Sequence, residues 1–190
     1  MDRRYVDGDS FDFRAPLAFA LPDVMPGAEC VRLIERIEAL GPDDAPVSTA
    51  AGVVLRPDVR NNKRVMFDDQ ELARALFDRV ASSVPASLCD MTPIGLNERF
   101  RCYRYEPGQR FAPHRDGSFE RSRDERSLLT FMVYLNDDFS GGETTFLDYD
   151  EVVTPRTGSA LLFQHMLVHE GSVVRTGVKY VLRSDVMFRA

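Results

Sequence analysis

The chain is predicted to be an α+β protein whose second half is a β-sandwich or jelly roll flanked by helices. Two observations predict it. Helical periodicity is confined to the first half, in residues 26–40 and 68–84. After residue 93 the chain becomes a series of short runs rich in β-branched and aromatic residues, punctuated by Gly and Pro. At 190 residues it is long enough to bury one sizeable core without disulfides. We expect one domain, with residues 1–92 as a strand and helix support region and residues 93–190 as the core.

In PGAECVRLIERIEAL, Val31, Ile34 and Ile37 recur at helical spacing with Leu33 and Leu40 beside them, and Gly41-Pro42 stops the run. In DDQELARALFDRVASSV, Asp68 or Asp69 can cap a helix with a stripe of Leu72, Leu76, Phe77 and Val80, ended by Pro85. Between them STAAGVVL is expected as a strand and RPDVRNNKRVMF as a long exposed loop. Downstream, IGLNERFRCYRYEPG, RSLLTFMVYLND, GGETTFL, GSALLFQHMLVHE and GVKYVLRSDVMF provide six to eight strands. SLLTFMVYLN is apolar on both sides. Leu129, Phe131, Val133 and Leu135 share one face, for helices to cover, and Thr130, Met132 and Tyr134 share the other, suited to a pocket.

Thirty acids against 24 bases give a net charge of -6, which disfavours a nucleic-acid partner. Arg110, Arg115, Arg121, Arg123 and Arg126 nevertheless form a local basic rim able to attract an anionic small molecule. Cys30, Cys89 and Cys102 match neither a zinc module nor a disulfide framework, which points to a reducing compartment. The opening MDRRYVDGDSFDF has no secretory apolar region, and no run approaches the roughly 18 apolar residues of a membrane span. The expected location is the cytoplasm, with no membrane partner; nothing in the sequence sets an oligomeric state.

The chemistry concentrates in APHRDGS, where His114 and Asp116 stand two residues apart and would share a strand face. A third metal ligand must come from elsewhere, and the other two histidines, His165 and His169, both follow the GSALLFQ run. Two imidazoles and a carboxylate suit non-haem Fe(II), although zinc hydrolases use similar sets. Lys179 lies inside an apolar strand, where an ammonium either snorkels to the surface or is neutralised by an anion. Lys179, Val181 and Arg183 alternate onto one face. Gly141-Gly142 reads as a tight turn rather than a phosphate cradle, and Cys102 as core.

CYRYEPGQRFAPHRD, VYLND, SGGETTF, VVTPRTGSALLF, HEG and GVKYVLRSDVMF, in this order over residues 93–189, resemble the prolyl 4-hydroxylase-like branch of the Fe(II)- and 2-oxoglutarate-dependent dioxygenases. The resemblance implies a double-stranded β-helix (jelly roll) core flanked by N-terminal helices, with His114, Asp116 and His169 as iron ligands. It favours His169 over His165 because Lys179, the expected 2-oxoglutarate anchor, follows ten residues later. It places Tyr134 beside that lysine and Tyr105 near the metal end of the co-substrate; strand alternation makes Arg183 the substitute cation if the register differs by one pair. It implies Fe(II), 2-oxoglutarate and O2, with ascorbate a candidate reductant, and hydroxylation of a peptidyl residue such as proline or of a small molecule. The loops 56–65 and 117–126 are candidates for setting specificity. A nucleobase demethylase and a non-catalytic jelly-roll binding module are the alternatives.

Overall fold

The computed structural model describes residues 11–49 and 52–190, so the first ten residues and the centre of STAAGVVL lie outside the described residues. The first half contains β1 (Ala18–Leu21), α1 (Gly27–Ala39), β2 (Asp43–Asp44), β3 (Val47–Thr49), β4 (Gly52–Val54), β5 (Lys63–Asp68) and α2 (Gln70–Val80). Then come β6 (Thr92–Leu96), β7 (Arg99–Tyr105), β8 (Phe111–His114), β9 (Glu120–Ser122), β10 (Glu125–Tyr134), β11 (Ser140–Gly141) and β12 (Thr144–Phe146). The chain finishes with β13 (Glu151–Val153), β14 (Ala160–Gln164), β15 (His169–Gly171), β16 (Val174–Thr176) and β17 (Lys179–Arg189).

A major antiparallel sheet runs β1-β14-β10-β17-β7-β5-β2, with β6 against β17 and β9 against β10. A minor sheet runs β13-β12-β15-β8. Two apolar clusters follow from the layering. One joins α1 and α2 to Leu129, Phe131, Val133 and Leu135, and the other gathers Tyr103, Tyr105, Tyr134, Phe146, Phe163 and Val181 on the opposite face of the major sheet. β10 is apolar on both sides because both sides are covered.

Asp69 caps α2, its carboxylate accepting from the Leu72 amide at 3.0 Å. Ala73, Leu76 and Val80 are the residues this helix buries, while Leu72 and Phe77 pack at the edge of the cluster. In α1 the buried stripe is Cys30, Leu33 and Ile37, with Ile34 packed at its edge, so Leu33 and Ile37 lie in the core as expected while Val31, 54% exposed, and Leu40 face solvent. Cys30 is a small apolar residue three before Leu33 and seven before Ile37, and that row wins the core.

The expected loop 56–67 is also corrected in its second half. Residues 63–68 form β5, paired with β7 from Lys63 opposite Arg104 to Asp68 opposite Arg99. Its charged residues concealed an alternation that buries Val65 against the helices and turns Arg64 and Met66 to the other face. Twelve strands follow residue 91 among the described residues, more than expected, because several runs break at turns into two strands.

Gly158, entering β14, has φ +77°. It receives a bond from the Met25 amide at 3.0 Å and donates to the Tyr134 carbonyl at 2.8 Å, tying the entry of α1 to the end of β10. A Cβ there would run into the Met25 carbonyl. Gly158→Ala is therefore expected to lose at least about 3 kcal/mol of unfolding free energy. Gly41→Ala, at φ +69° with open space around it, should lose about 1 kcal/mol; urea midpoints measure both.

Candidate active site

His114 ends β8 and His169 begins β15, and the two are direct partners across the strand pair. Each ring is fixed by its own chain. His114 Nδ1 bonds the Ala112 carbonyl and His169 Nδ1 the Leu167 carbonyl, both at 2.9 Å. A carbonyl can only accept, so both Nδ1 atoms carry the proton and both Nε2 atoms present a lone pair. Burial, and then the neighbouring His169, push the His114 pKa down to about 4, which keeps this imidazole neutral.

Asp116 lies two residues past β8, its amide donating to the His165 carbonyl at 3.0 Å. Asp116 Oδ1 is 3.7 Å from His114 Nε2, and Oδ2 is 3.7 Å from His169 Nε2. Ligand atoms of all three residues lie within 4.8 Å of one another. Oδ2 also accepts from Thr130 Oγ1 at 2.6 Å and from Arg183 Nη2 at 3.1 Å. Burial opposes the charge, but Arg183 and then the histidines outweigh it and hold the carboxyl well below its ordinary range.

His165 sits behind this group rather than in it. Its Nδ1 is 3.0 Å from Thr130 Oγ1 and its Nε2 is 2.9 Å from Ser127 Oγ. Because an ionised Asp116 only accepts, the Thr130 hydroxyl donates to it and receives from His165 Nδ1. Ser127 and Thr130 both reach His165 because the register of β10 shifts between Ser127 and Leu129. Strict alternation would have sent the two side chains to opposite faces, so no signal in the sequence pointed to this arrangement.

Lys179 lines the same cavity as the three residues and is buried. Its Nζ donates to the Gly142 carbonyl at 2.6 Å and lies 5.3 and 5.5 Å from the ring centres of Tyr105 and Tyr134. Burial lowers its pKa to about 8, with Glu143 partly opposing. The Tyr134 hydroxyl bonds Thr144 Oγ1 at 2.7 Å, and Thr144 lines the cavity. A Cβ on Gly171 would lie 3.9 Å from the Tyr105 hydroxyl, so Tyr105 extends from the lysine to β15.

Arg183 shares the face of Lys179, as alternation requires, but it is bound to Asp116 and Asp185, each at 3.1 Å. Its Nη2 is thus engaged with two carboxylates, whereas Lys179 Nζ meets a single backbone carbonyl. On the basic rim, Arg121 is neutralised by Glu98 and Glu125. Arg60 escaped notice because it falls in an apparent loop; it is buried between the rings of Tyr103 and Phe111.

Residues 100–184 match the 2OG-Fe(II) oxygenase superfamily. "Prolyl 4-hydroxylase 1" of Arabidopsis thaliana is 26% identical over 195 residues, covering 87% of this chain and 67% of that protein. A "Putative prolyl 4-hydroxylase" of Acanthamoeba polyphaga mimivirus is 24% identical over 150 residues, covering 69% of this chain and 59% of that protein. The chain thus spans about two thirds or less of the length of these relatives. The viral collagen prolyl hydroxylase of Paramecium Bursaria Chlorella virus-1, solved as a 2OG complex, superposes with a TM-score of 0.65 at 20% identity, covering 93% of this chain and 98% of that one. The motif order and these similarities agree: over residues 100–184 the chain is similar to the 2OG-Fe(II) oxygenase superfamily, and over most of its length to proteins named as prolyl 4-hydroxylases.

Proposed function

We propose that the chain is an Fe(II)- and 2-oxoglutarate-dependent dioxygenase that hydroxylates a C–H bond of a peptidyl residue, with proline the first substrate to test. The observation that carries this reading is the meeting of two Nε2 lone pairs and one carboxylate within 4.8 Å, beside a buried lysine in the same cavity. Neutral imidazoles and a carboxylate are the donor set of a ferrous centre with open positions. A lysine whose only hydrogen-bond acceptor among the described residues is one backbone carbonyl fits the far carboxylate of a keto diacid. The relatives named as prolyl 4-hydroxylases support peptidyl proline over a small metabolite. The acidic net charge argues against a nucleobase substrate.

In this reading His114, Asp116 and His169 hold the metal, and Lys179 neutralises the distal carboxylate with Tyr134 and Thr144 beside it. The Tyr105 hydroxyl serves the metal end of the keto acid. When bound, the ferrous ion and 2-oxoglutarate supply the oxygen chemistry, releasing succinate and carbon dioxide as the substrate gains a hydroxyl. The protein's own residues fix the ligands, carry the counter-charges and exclude water around the reacting C–H bond.

Residues 93–190 form the catalytic core in this reading, and residues 1–92 support it by adding β1 and β5 to the major sheet. Cys30, Cys89 and Cys102 form no disulfide among the described residues, in keeping with a reducing, cytoplasmic location. No helix among the described residues is long and apolar enough to cross a membrane.

Succinate release from 2-oxoglutarate with proline-containing peptides, Fe(II) and ascorbate tests the activity; its absence across such a panel rejects it. His169→Ala should abolish stoichiometric Fe(II) binding and His165→Ala should retain it, as read by anaerobic metal titration, and the reverse pattern overturns the ligand set. Lys179→Ala should weaken 2-oxoglutarate binding by at least ~30-fold while leaving metal content unchanged. The wild type should also lose co-substrate affinity as pH rises through about 8, because the free lysine there becomes neutral and binding must restore its proton. The dissociation constant at pH 9 should exceed that at pH 7 by about tenfold, whereas an unshifted lysine would keep it flat over that interval.

A further inference from the structure

Past Asp116, the major sheet carries more positive charge than its own acids neutralise. Register sets Arg64 opposite Tyr103, and Arg101 opposite Arg183, on the face of β5, β7 and β17 that bears Lys179. Arg60, 6% exposed, lies with its guanidinium carbon 4.4 Å from the centre of the Tyr103 ring. Four guanidiniums thus cluster about one phenol that lines the cavity.

Against them stand two carboxylates. Asp185 is shared between Arg101 at 3.0 Å and Arg183 at 3.1 Å, and Asp116 belongs to the metal-ligand group. Asp68, farther along the same face, is held by both nitrogens of Arg99. Arg64 has no ion pair among the described residues. Burial first lowers its pKa; Tyr103 partly opposes this, and the proximity of Arg60, Arg101 and Arg183 adds to the fall. Arg60 Nη2 and Arg183 Nε are buried donors with no hydrogen-bond partner among the described residues. Such donors are costly to leave unmade, and a planar fork matches a carboxylate.

We propose that this arginine wall receives a carboxylate of the prime substrate, so that the hydroxylated residue belongs to an acidic peptide with Asp or Glu next to the reacting position. The proposal rests on the oxygenase reading and adds the substrate class to it. The co-substrate is assigned to the other end of the cavity, since Lys179 and Arg183 are separated by roughly 13 Å of strand.

Fluorescence anisotropy of a labelled octapeptide containing Pro-Glu, against its Pro-Gln counterpart, tests this without turnover. On the full chain with Zn(II), the acidic peptide should bind about tenfold tighter. That preference should fall at least about threefold in Arg64→Gln, whose side chain touches none of the metal-ligand group, and disappear in Arg183→Gln. Equal or undetectable binding of the two peptides, or a preference that survives both substitutions, overturns the proposal. Saturating 2-oxoglutarate separates the sources of the anion: a preference that persists supports a substrate carboxylate, and one that vanishes assigns the wall to the co-substrate and overturns it. Succinate release reports separately on the oxygenase. A peptide preference without succinate retains the arginine wall and removes the activity, and succinate without a preference does the reverse.

Discussion

The site depends on keeping one buried carboxylate charged. Asp116 is withdrawn from water, and an uncompensated carboxylate in that position would take up a proton and lose the negative charge a cation requires. Thr130 and Arg183 prevent this by occupying Oδ2. Because both press on the same oxygen, Oδ1 is the less engaged of the pair and stays directed at His114. Around this carboxylate the remaining polar groups fall into order: Asp185 steadies Arg183, His165 steadies Thr130, and Ser127 steadies His165. Hydrogen bonds in such a chain polarise one another, so each member restrains the next more than an isolated pair would.

Two backbone features make that network possible. The pairing of β15 with β8 puts His114 and His169 face to face, and each ring takes its tautomer from the carbonyl two residues earlier in the chain, Ala112 in β8 and Leu167 just before β15. Local backbone, with Phe111 stacked on one ring and Phe163 edge-on to the other, therefore orients the two histidines. The irregularity in β10 does the same for the polar layer behind Asp116 by bringing Ser127 and Thr130 to one histidine. A bulge at such a place re-aims side chains next to a functional site at the cost of a locally broken ladder.

These features also divide what could be read in the sequence from what could not. Strand periodicity gave the two faces of β10 and the shared face of Lys179 and Arg183, because alternation is a property of the chain itself. Capping chemistry narrowed the start of α2 to Asp68 or Asp69, of which Asp69 is the cap. The start of the α1 stripe was set at Val31 instead of Cys30 since cysteine was not counted as apolar, and β5 was missed since Lys63, Arg64 and Asp68 disguised a buried Val65. The choice between His165 and His169 needed the family resemblance: both follow β14, and only tertiary register decides which one meets His114. Arg183 was visible as a cation, but whether it faced a co-substrate or a ligand carboxylate is set by contacts across strands, which no one-dimensional pattern contains.

The cavity uses a different cation at each end, and the difference has physical meaning. Lys179 is a point charge with its pKa lowered toward neutrality, so it gains most when an anion arrives to restore its proton. That suits a co-substrate that must bind anew in each cycle. Arg183 shares one nitrogen among Asp116, Asp185 and Thr130, a permanent charge built into the framework. Replacing it by lysine would keep the charge but lose the planar fork that leaves Nε over for a further acceptor. If the arginine wall receives a substrate carboxylate as proposed, Arg183 serves it and Asp116 together, which would tie the orientation of Asp116 to the selection of an acidic substrate.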